Sequence, residues 1–186
     1  MQDDKSTWKI IESCYLVQDR WMTLRADRCE MPNGVEIAPY YVIESADFVH
    51  IVAITNENEV VLIRQYRHAI GRTILEIPAG TVDKESDPLL AAQRELLEET
   101  GYAGGTWQIL PTTLPNPARF DNTSHCYLAT GVTKIAQQTL DDTEQIECVL
   151  MPLAEVVKGM AEGLFEQTLN VTTLFYALIA FGKLEM

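Results

Sequence analysis

Positive charge is scarce in this chain of 186 residues: 14 lysines and arginines face 27 aspartates and glutamates, with only three histidines. The formal net charge of −13 argues against non-specific nucleic-acid binding, where phosphate neutralisation supplies most of the affinity. A polyphosphate ligand would have to be met locally, by a few arginines and a divalent cation. No apolar run approaches the roughly 18 residues that a membrane-spanning helix needs, so no membrane partner is expected. The opening Met1-Gln2-Asp3-Asp4-Lys5-Ser6 is charged with no apolar stretch behind it, and no signal peptide is expected. Cysteine is sparse. Cys14, Cys29, Cys126 and Cys148 form no C-x-x-C pair and show no metal-ligand spacing, which predicts reduced thiols in a cytoplasmic protein. Repeats, low-complexity tracts and linkers rich in Pro, Gly or Ser are missing too. What remains is a chain of one-domain length, 47% hydrophobic, long enough to bury a real core.

Within that acidic composition, Glu95, Glu98 and Glu99 crowd the end of a helix-like run that closes with Gly101. The segment starts at Asp87-Pro88, an N-cap acceptor followed by a ring that pre-sets φ, and Gly101 suits a left-handed stop. A helix C-terminus carries partial negative charge and favours Lys or Arg there. Like charges at i,i+4, such as Glu95 and Glu99, cost roughly 0.2–0.5 kcal/mol per pair more. Only Arg94 stands near in sequence. At ~100° per residue, Leu89, Leu90, Ala92, Leu96 and Leu97 share one arc and the glutamates share another, with Ala91 among them. Three glutamates alone read as a solvated acidic face. A local rule broken this way also marks functional sites, and the simplest missing partner is a hard cation.

Along the rest of the chain, strands are expected at Trp8–Gln18, Trp21–Glu30 and Val35–Glu44, with Pro32-Asn33-Gly34 turning between the last two. Further strands are expected at His50–Thr55, Glu59–Gln65, Ile74–Ile77, Trp107–Leu114, His125–Gly131 and Ile146–Met151. Helices are expected at Leu153–Glu162 and Asn170–Gly182. Mixed strands with few helices indicate an α+β fold or an α/β/α sandwich.

Gly80, Arg94-Glu95-Leu96, Glu98-Glu99, Gly101 and Tyr102 match in type and spacing the signature of the Nudix hydrolases, and the chain resembles that family. Ile63-Arg64-Gln65-Tyr66-Arg67 and Leu75-Glu76-Ile77-Pro78-Ala79-Gly80 are similar to its ADP-ribose and nucleoside-diphosphate-sugar pyrophosphatase branch. The likeness runs from about Val60 to the C-terminus. Two positions depart. The signature's first Glu falls on Ser86, with Glu85 one residue earlier, so Ser86 is a candidate cap and Glu85 or Asp87 a candidate partner for Arg94. Asn122 stands where the branch often has Glu.

The resemblance implies the Nudix fold, an α/β/α sandwich with a mixed sheet, over residues 46–186. Residues 1–45 would form an N-terminal antiparallel sheet serving dimerisation or base binding. It implies a metal-dependent pyrophosphohydrolase acting on a nucleoside diphosphate linked to another moiety, such as ADP-ribose. Nucleoside triphosphates, dinucleoside polyphosphates and a non-catalytic nucleotide sensor are the alternatives. Glu95, Glu98, Glu99 and the Ala79 carbonyl would hold Mg²⁺, or Mn²⁺; oxygen-only donors favour these over zinc. Glu98 and Glu99 would be catalytic, with Glu144 the general base. Gly80, Arg94 and Gly101 would be structural. Arg67, Glu76 and Arg64 are the candidate substrate contacts. Arg64 and Arg67, three apart on one strand, face opposite ways, and the resemblance favours Arg67 for the diphosphate; a surface salt bridge is the other reading. Trp8 and Trp21 are candidates for base stacking, core or dimer contact. A homodimer is expected.

Overall fold

The computed structural model describes residues 6–82 and 87–183. The chain divides into two compact units. The first spans the chain to Ala46 together with Leu114–Asn122. It is an antiparallel meander of β1 (Lys9–Gln18), β2 (Thr23–Glu30) and β3 (Glu36–Glu44). The β2–β3 turn is built as its residues require: Gly34 takes φ 79°, and the Met31 N–H donates to the Val35 carbonyl at 2.8 Å. In this unit Tyr40 hydroxyl donates to the Ala118 carbonyl at 3.0 Å, and the Ile43 N–H to the Arg119 carbonyl at 2.7 Å. Those bonds fasten the returning segment to β3.

The second unit, Asp47–Thr113 with the chain from Thr123 onward, holds an eight-stranded mixed sheet. Its strands are β4 (Phe48–Thr55), β5 (Glu59–Arg67), β6 (Arg72–Glu76), β7 (Ala79–Thr81), β8 (Tyr102–Ala103), β9 (Thr106–Ile109), β10 (Ser124–Lys134) and β11 (Ile146–Pro152). The central order is β11-β5-β4-β10-β8, with β6 on β5, β7 on β4 and β9 on β10. β4 pairs in parallel with β10 and antiparallel with β5. Helix α1 (Pro88–Thr100) covers one face, and α2 (Leu153–Glu162) and α3 (Thr168–Ala180) cover the other.

A central strand covered on both faces reads as an unbroken apolar run, and β4 is buried from Val49 to Thr55. Its side chains alternate between two cores. Val49, Ile51 and Ala53 pack with Ala91, Ala92 and Leu96 of α1. Val52 and Ile54 pack with Val156 of α2 and Leu174, Ala177 and Leu178 of α3. The same alternation sorts β5, with Val61 toward α1 and Val60 and Leu62 toward α3.

Most expected elements form within a few residues of their expected ends. The strand expected at Trp107–Leu114 is shorter, ending at Ile109. Pro111 has no N–H to extend the ladder; beyond Ile109 the Leu110 N–H bonds the Cys126 carbonyl, and an isolated bridge of Thr113 to Ser124 follows. The short strands β7 and β8 were not expected; neither is long enough to show periodicity.

One buried side chain ties the α3 layer to the loop before α1. Asn170 is 1% exposed, and its Oδ1 accepts from the Ile77 N–H at 2.7 Å. Asn170→Ala strands that N–H without a partner, so we expect a loss of about 1–3 kcal/mol, read by urea unfolding.

Candidate active site

Helix α1 begins where its sequence signals place it. Asp87 is the N-cap, accepting from the Leu89 N–H at 2.9 Å, and Pro88 opens the first turn. Gly101 ends the helix at φ 77°, and a Cβ there would strike the Ala136 carbonyl, so only glycine fits. Ser86 and Glu85 lie outside the described residues. Leu90 departs from the expected apolar face: it is 61% exposed. The buried residues are Ala91, Ala92, Leu96, Glu99 and Thr100. Glu99 stands three residues beyond Leu96 and seven beyond Ala92, on the stripe that meets the sheet. It is therefore part of the packed face, where an outward acidic arc was expected.

Glu99 is 4% exposed. Its Oε2 accepts from the Ala79 N–H at 3.0 Å. Burial pushes its pKa up to about 8; the charges of Glu95 and Glu144 push the same way, while the Ala79 N–H and Arg67 pull back. Glu95 is also raised, first by burial and further by Glu98 and Glu144, against the pull of Arg94. The carboxylate of Glu144, 45 residues on in sequence, thus lies close enough for its charge to act on both.

Arg94 forks between the other two glutamates. It donates to Glu98 Oε2 at 2.7 Å and to Glu95 Oε1 at 2.8 Å. Asp87, one of its expected partners, is engaged as the cap. Gly80 makes the room for Glu95: a Cβ at Gly80 would overlap the Glu95 carboxylate.

Among the described residues no three acidic, imidazole or thiol groups are gathered closely enough to hold a metal ion as they stand. The donors nearby nonetheless suit a hard divalent cation. They are the carboxylates of Glu95 and Glu99, both raised by burial and by neighbouring acids, the carboxylate of Glu98, and one backbone carbonyl. The Ile51 N–H bonds the Pro78 carbonyl and the Val82 N–H the Asp47 carbonyl, so Ala79, opposite His50, sits in a non-hydrogen-bonded pair. Its N–H and C=O then face away from β4. The N–H goes to Glu99, leaving the carbonyl on that same edge.

Arg67 and Glu76 come together on adjacent strands. Arg67 Nε donates to Glu76 Oε2 at 2.9 Å, and Nη2 lies 2.7 Å from the same oxygen. Glu76 is 1% exposed, and its Oε1 is buried with no hydrogen-bond partner among the described residues. Arg64 is not part of this grouping. It pairs with Glu147 at 3.4 Å, and strand alternation places it with Val60 and Leu62, on the face away from α1. His50 is buried, with Nδ1 2.8 Å from Ser124 Oγ, and burial lowers its pKa to about 4, which keeps the ring neutral. Sequence reasoning attached no role to His50 or Asn170; neither sits in a motif.

The NUDIX domain family matches residues 46–171. This chain is a Nudix hydrolase. A second family, the nucleoside diphosphate sugar hydrolase N-terminal domain, matches residues 8–43. This Nudix hydrolase is 34% identical over 155 residues to a methanol dehydrogenase activator of Bacillus methanolicus, covering 83% of each chain. It is 34% identical over 142 residues to an ADP-ribose pyrophosphatase of Mycobacterium tuberculosis, covering 75% of this chain and 68% of that one. An ADP-ribose pyrophosphatase of Bacillus subtilis is 28% identical over 151 residues, 81% of each chain. A crystal structure of an ADP compounds hydrolase superposes with TM-score 0.84 at 24% identity, covering 96% of this chain and 97% of that one, which establishes the shared fold. The chain is a pyrophosphohydrolase of this family, and Nudix hydrolases generally use divalent metal ions.

The raised Glu99 pKa has a thermodynamic consequence in the metal-free protein. An unfolded glutamate titrates near about 4.3, and the folded one near 8. Between those values the folded chain holds the proton more tightly, so the Glu99 contribution to stability falls as pH rises through the window and levels off above it. The slope is at most ~1.4 kcal/mol per pH unit. Urea unfolding in chelator at pH 6 and pH 8.5 should show a larger loss for the wild type than for Glu99→Gln. At pH 8.5 added Mg²⁺ or Mn²⁺ should restabilise the wild type more than the variant.

Proposed function

We propose that this Nudix hydrolase cleaves the diphosphate linkage of ADP-ribose or a related nucleotide sugar, giving a nucleoside monophosphate and a sugar phosphate. One observation carries the reading. The buried Glu99 carboxylate lies within reach of the charges of Glu95, Glu144 and Arg67, which supports an arrangement of one guanidinium beside a group of carboxylates. The names of the Mycobacterium tuberculosis and Bacillus subtilis relatives support the substrate class.

Glu95, Glu98, Glu99 and the Ala79 carbonyl would hold Mg²⁺ or Mn²⁺. When bound, the cation supplies charge neutralisation at the diphosphate and acidifies water. Arg67 binds a diphosphate oxygen from the side that Glu76 leaves open, since its Nε and Nη2 are already committed to Glu76. Glu76 thus orients the guanidinium without touching substrate. Glu144 accepts the proton of the attacking water as its oxygen bonds to phosphorus and the phosphoanhydride P–O bond breaks. Arg64, tied to Glu147 on the far face of the sheet, has no part in this scheme.

The same reading includes a cytoplasmic homodimer formed through the N-terminal unit. β1 leaves Ile10, Tyr15 and Leu16 exposed, and Trp21 beyond it is 73% exposed with Arg20 over its ring at 4.1 Å. So much apolar surface on one short sheet suits a partner surface, and a second copy is the proposed occupant.

A panel of nucleotide sugars, triphosphates and dinucleoside polyphosphates with Mg²⁺ or Mn²⁺ tests the substrate class; preference for a triphosphate would overturn it. Glu98→Gln and Glu99→Gln are expected to lower kcat by orders of magnitude while the protein stays folded. Glu144→Gln is expected to cost roughly 10²–10⁴, and an unchanged rate would remove its role as base. For the assembly, light scattering at micromolar concentration should give twice the 20.9 kDa chain mass; a monomer overturns the dimer.

A further inference from the structure

Helix α1 ends without a basic residue in its last turn, although its terminal carbonyls are the negative end of the helix. The donors come instead from the segment that follows β10. The Ile135 N–H donates to the Gly101 carbonyl at 2.9 Å, and the Thr139 N–H to the Glu98 carbonyl at 2.9 Å. The Gln138 side chain does more. Its Nε2 donates to the Glu99 carbonyl at 2.5 Å and to the Ile146 carbonyl at 3.1 Å. An amide nitrogen carries two hydrogens, and both are used.

Those two carbonyls bracket the acidic loop. Glu99 is the buried carboxylate of α1. Ile146 opens β11, two residues beyond Glu144. Within the bracket the loop is a tight turn: the Glu144 N–H donates to the Asp141 carbonyl at 2.9 Å, and the Asp141 N–H donates to Glu144 Oε2 at 3.1 Å. The turn is small and exposed around Asp141 to Thr143, with little packing of its own. How closely Glu144 approaches Glu95 and Glu99, on which its charge acts, depends on how the ends of the turn are held.

We propose that Gln138 is a positioning residue that sets the reach of Glu144 toward the glutamate cluster. One amide ties the first residue of β11 to the backbone of Glu99, so the loop between them cannot swing without breaking a bond at one end. This rests on Glu144 acting as the base. The inference goes beyond that role: it assigns the geometry of the base to a neutral side chain six residues upstream, which belongs to no motif.

The test is a double-mutant cycle on the full chain with a nucleotide sugar and Mg²⁺. Gln138→Ala is expected to lower kcat roughly tenfold, in the range seen when a supporting hydrogen bond is lost, with KM little changed. Gln138→Glu, which keeps the length but replaces the donor with a charge facing two carbonyls, should be at least as slow. In a Glu144→Gln background, adding Gln138→Ala should change kcat less than twofold, because the group it positions is already disabled. Full additivity of the two losses overturns the proposal, as does a Gln138→Ala enzyme with wild-type kcat. A Glu144→Gln enzyme with wild-type kcat instead defeats the reading of Glu144 itself, a separate result. Thermal melts of each variant, compared with kcat at a temperature where all are folded, separate positioning from lost stability.

Discussion

The hydrogen bond from the Ala79 N–H to the buried Glu99 carboxylate joins two elements of the candidate site. One is the loop that leaves the sheet at Pro78. The other is the last turn of α1. Burying a carboxylate is costly unless it is hydrogen-bonded or matched by a cation. Glu99 has one N–H and the distant help of Arg67, against burial and two neighbouring acids. The raised pKa follows from that imbalance, burial first. A helix packed through a buried acid that one N–H meets is a poor choice for stability alone, and it is a sensible one where a divalent cation completes the balance.

The rest of the second unit can be understood as holding that bond in place. Asn170 of α3 fixes the Ile77 N–H, one residue before Pro78, so the far helical layer reaches through the sheet to the loop. Gly80 has no Cβ because Glu95 occupies the space. Strand alternation on β5 sends Arg67 toward the α1 face and Arg64 to the other. The sheet therefore acts as a sorter: it divides two arginines of one short motif between a site and a surface ion pair worth little.

Much of this was legible from residue types. Asp87, Pro88 and Gly101 mark the ends of α1 because their backbone preferences are local. The continuous apolar runs of β4 and β5 announce strands covered on both sides, and the signature spacing names the family. Other features depend on tertiary contact and leave no local trace. The burial of Glu99 is one: a carboxylate on an apolar stripe reads as a solvated residue until the sheet lies against it. Arg94 is another, since sequence offered Glu85 or Asp87 as its partner; the capping geometry took Asp87 away, and the described partners are Glu95 and Glu98. The exposure of Leu90 has the same origin. It lies on the expected arc, yet the sheet meets the stripe of Ala92, Leu96 and Glu99. Gln138 is the extreme case, a lone polar residue in a polar loop whose two bonds span carbonyls 47 residues apart.

The acidity of the chain sharpens the problem that the site must solve. With a net charge of −13, the long-range field opposes the approach of a diphosphate, and electrostatic steering cannot help as it does in basic clefts. Recognition must then come from short-range cations at fixed positions. Arg67 is pinned by a carboxylate that is itself sealed from solvent, so in the proposed scheme its orientation is set before ligand arrives. A divalent cation gathered by the glutamates would act in the same way, presenting positive charge only within contact distance. In such a protein selectivity rests on geometry more than on charge. That explains why side chains with no charge of their own, Asn170 and Gln138 among them, carry so much of the architecture around the acids.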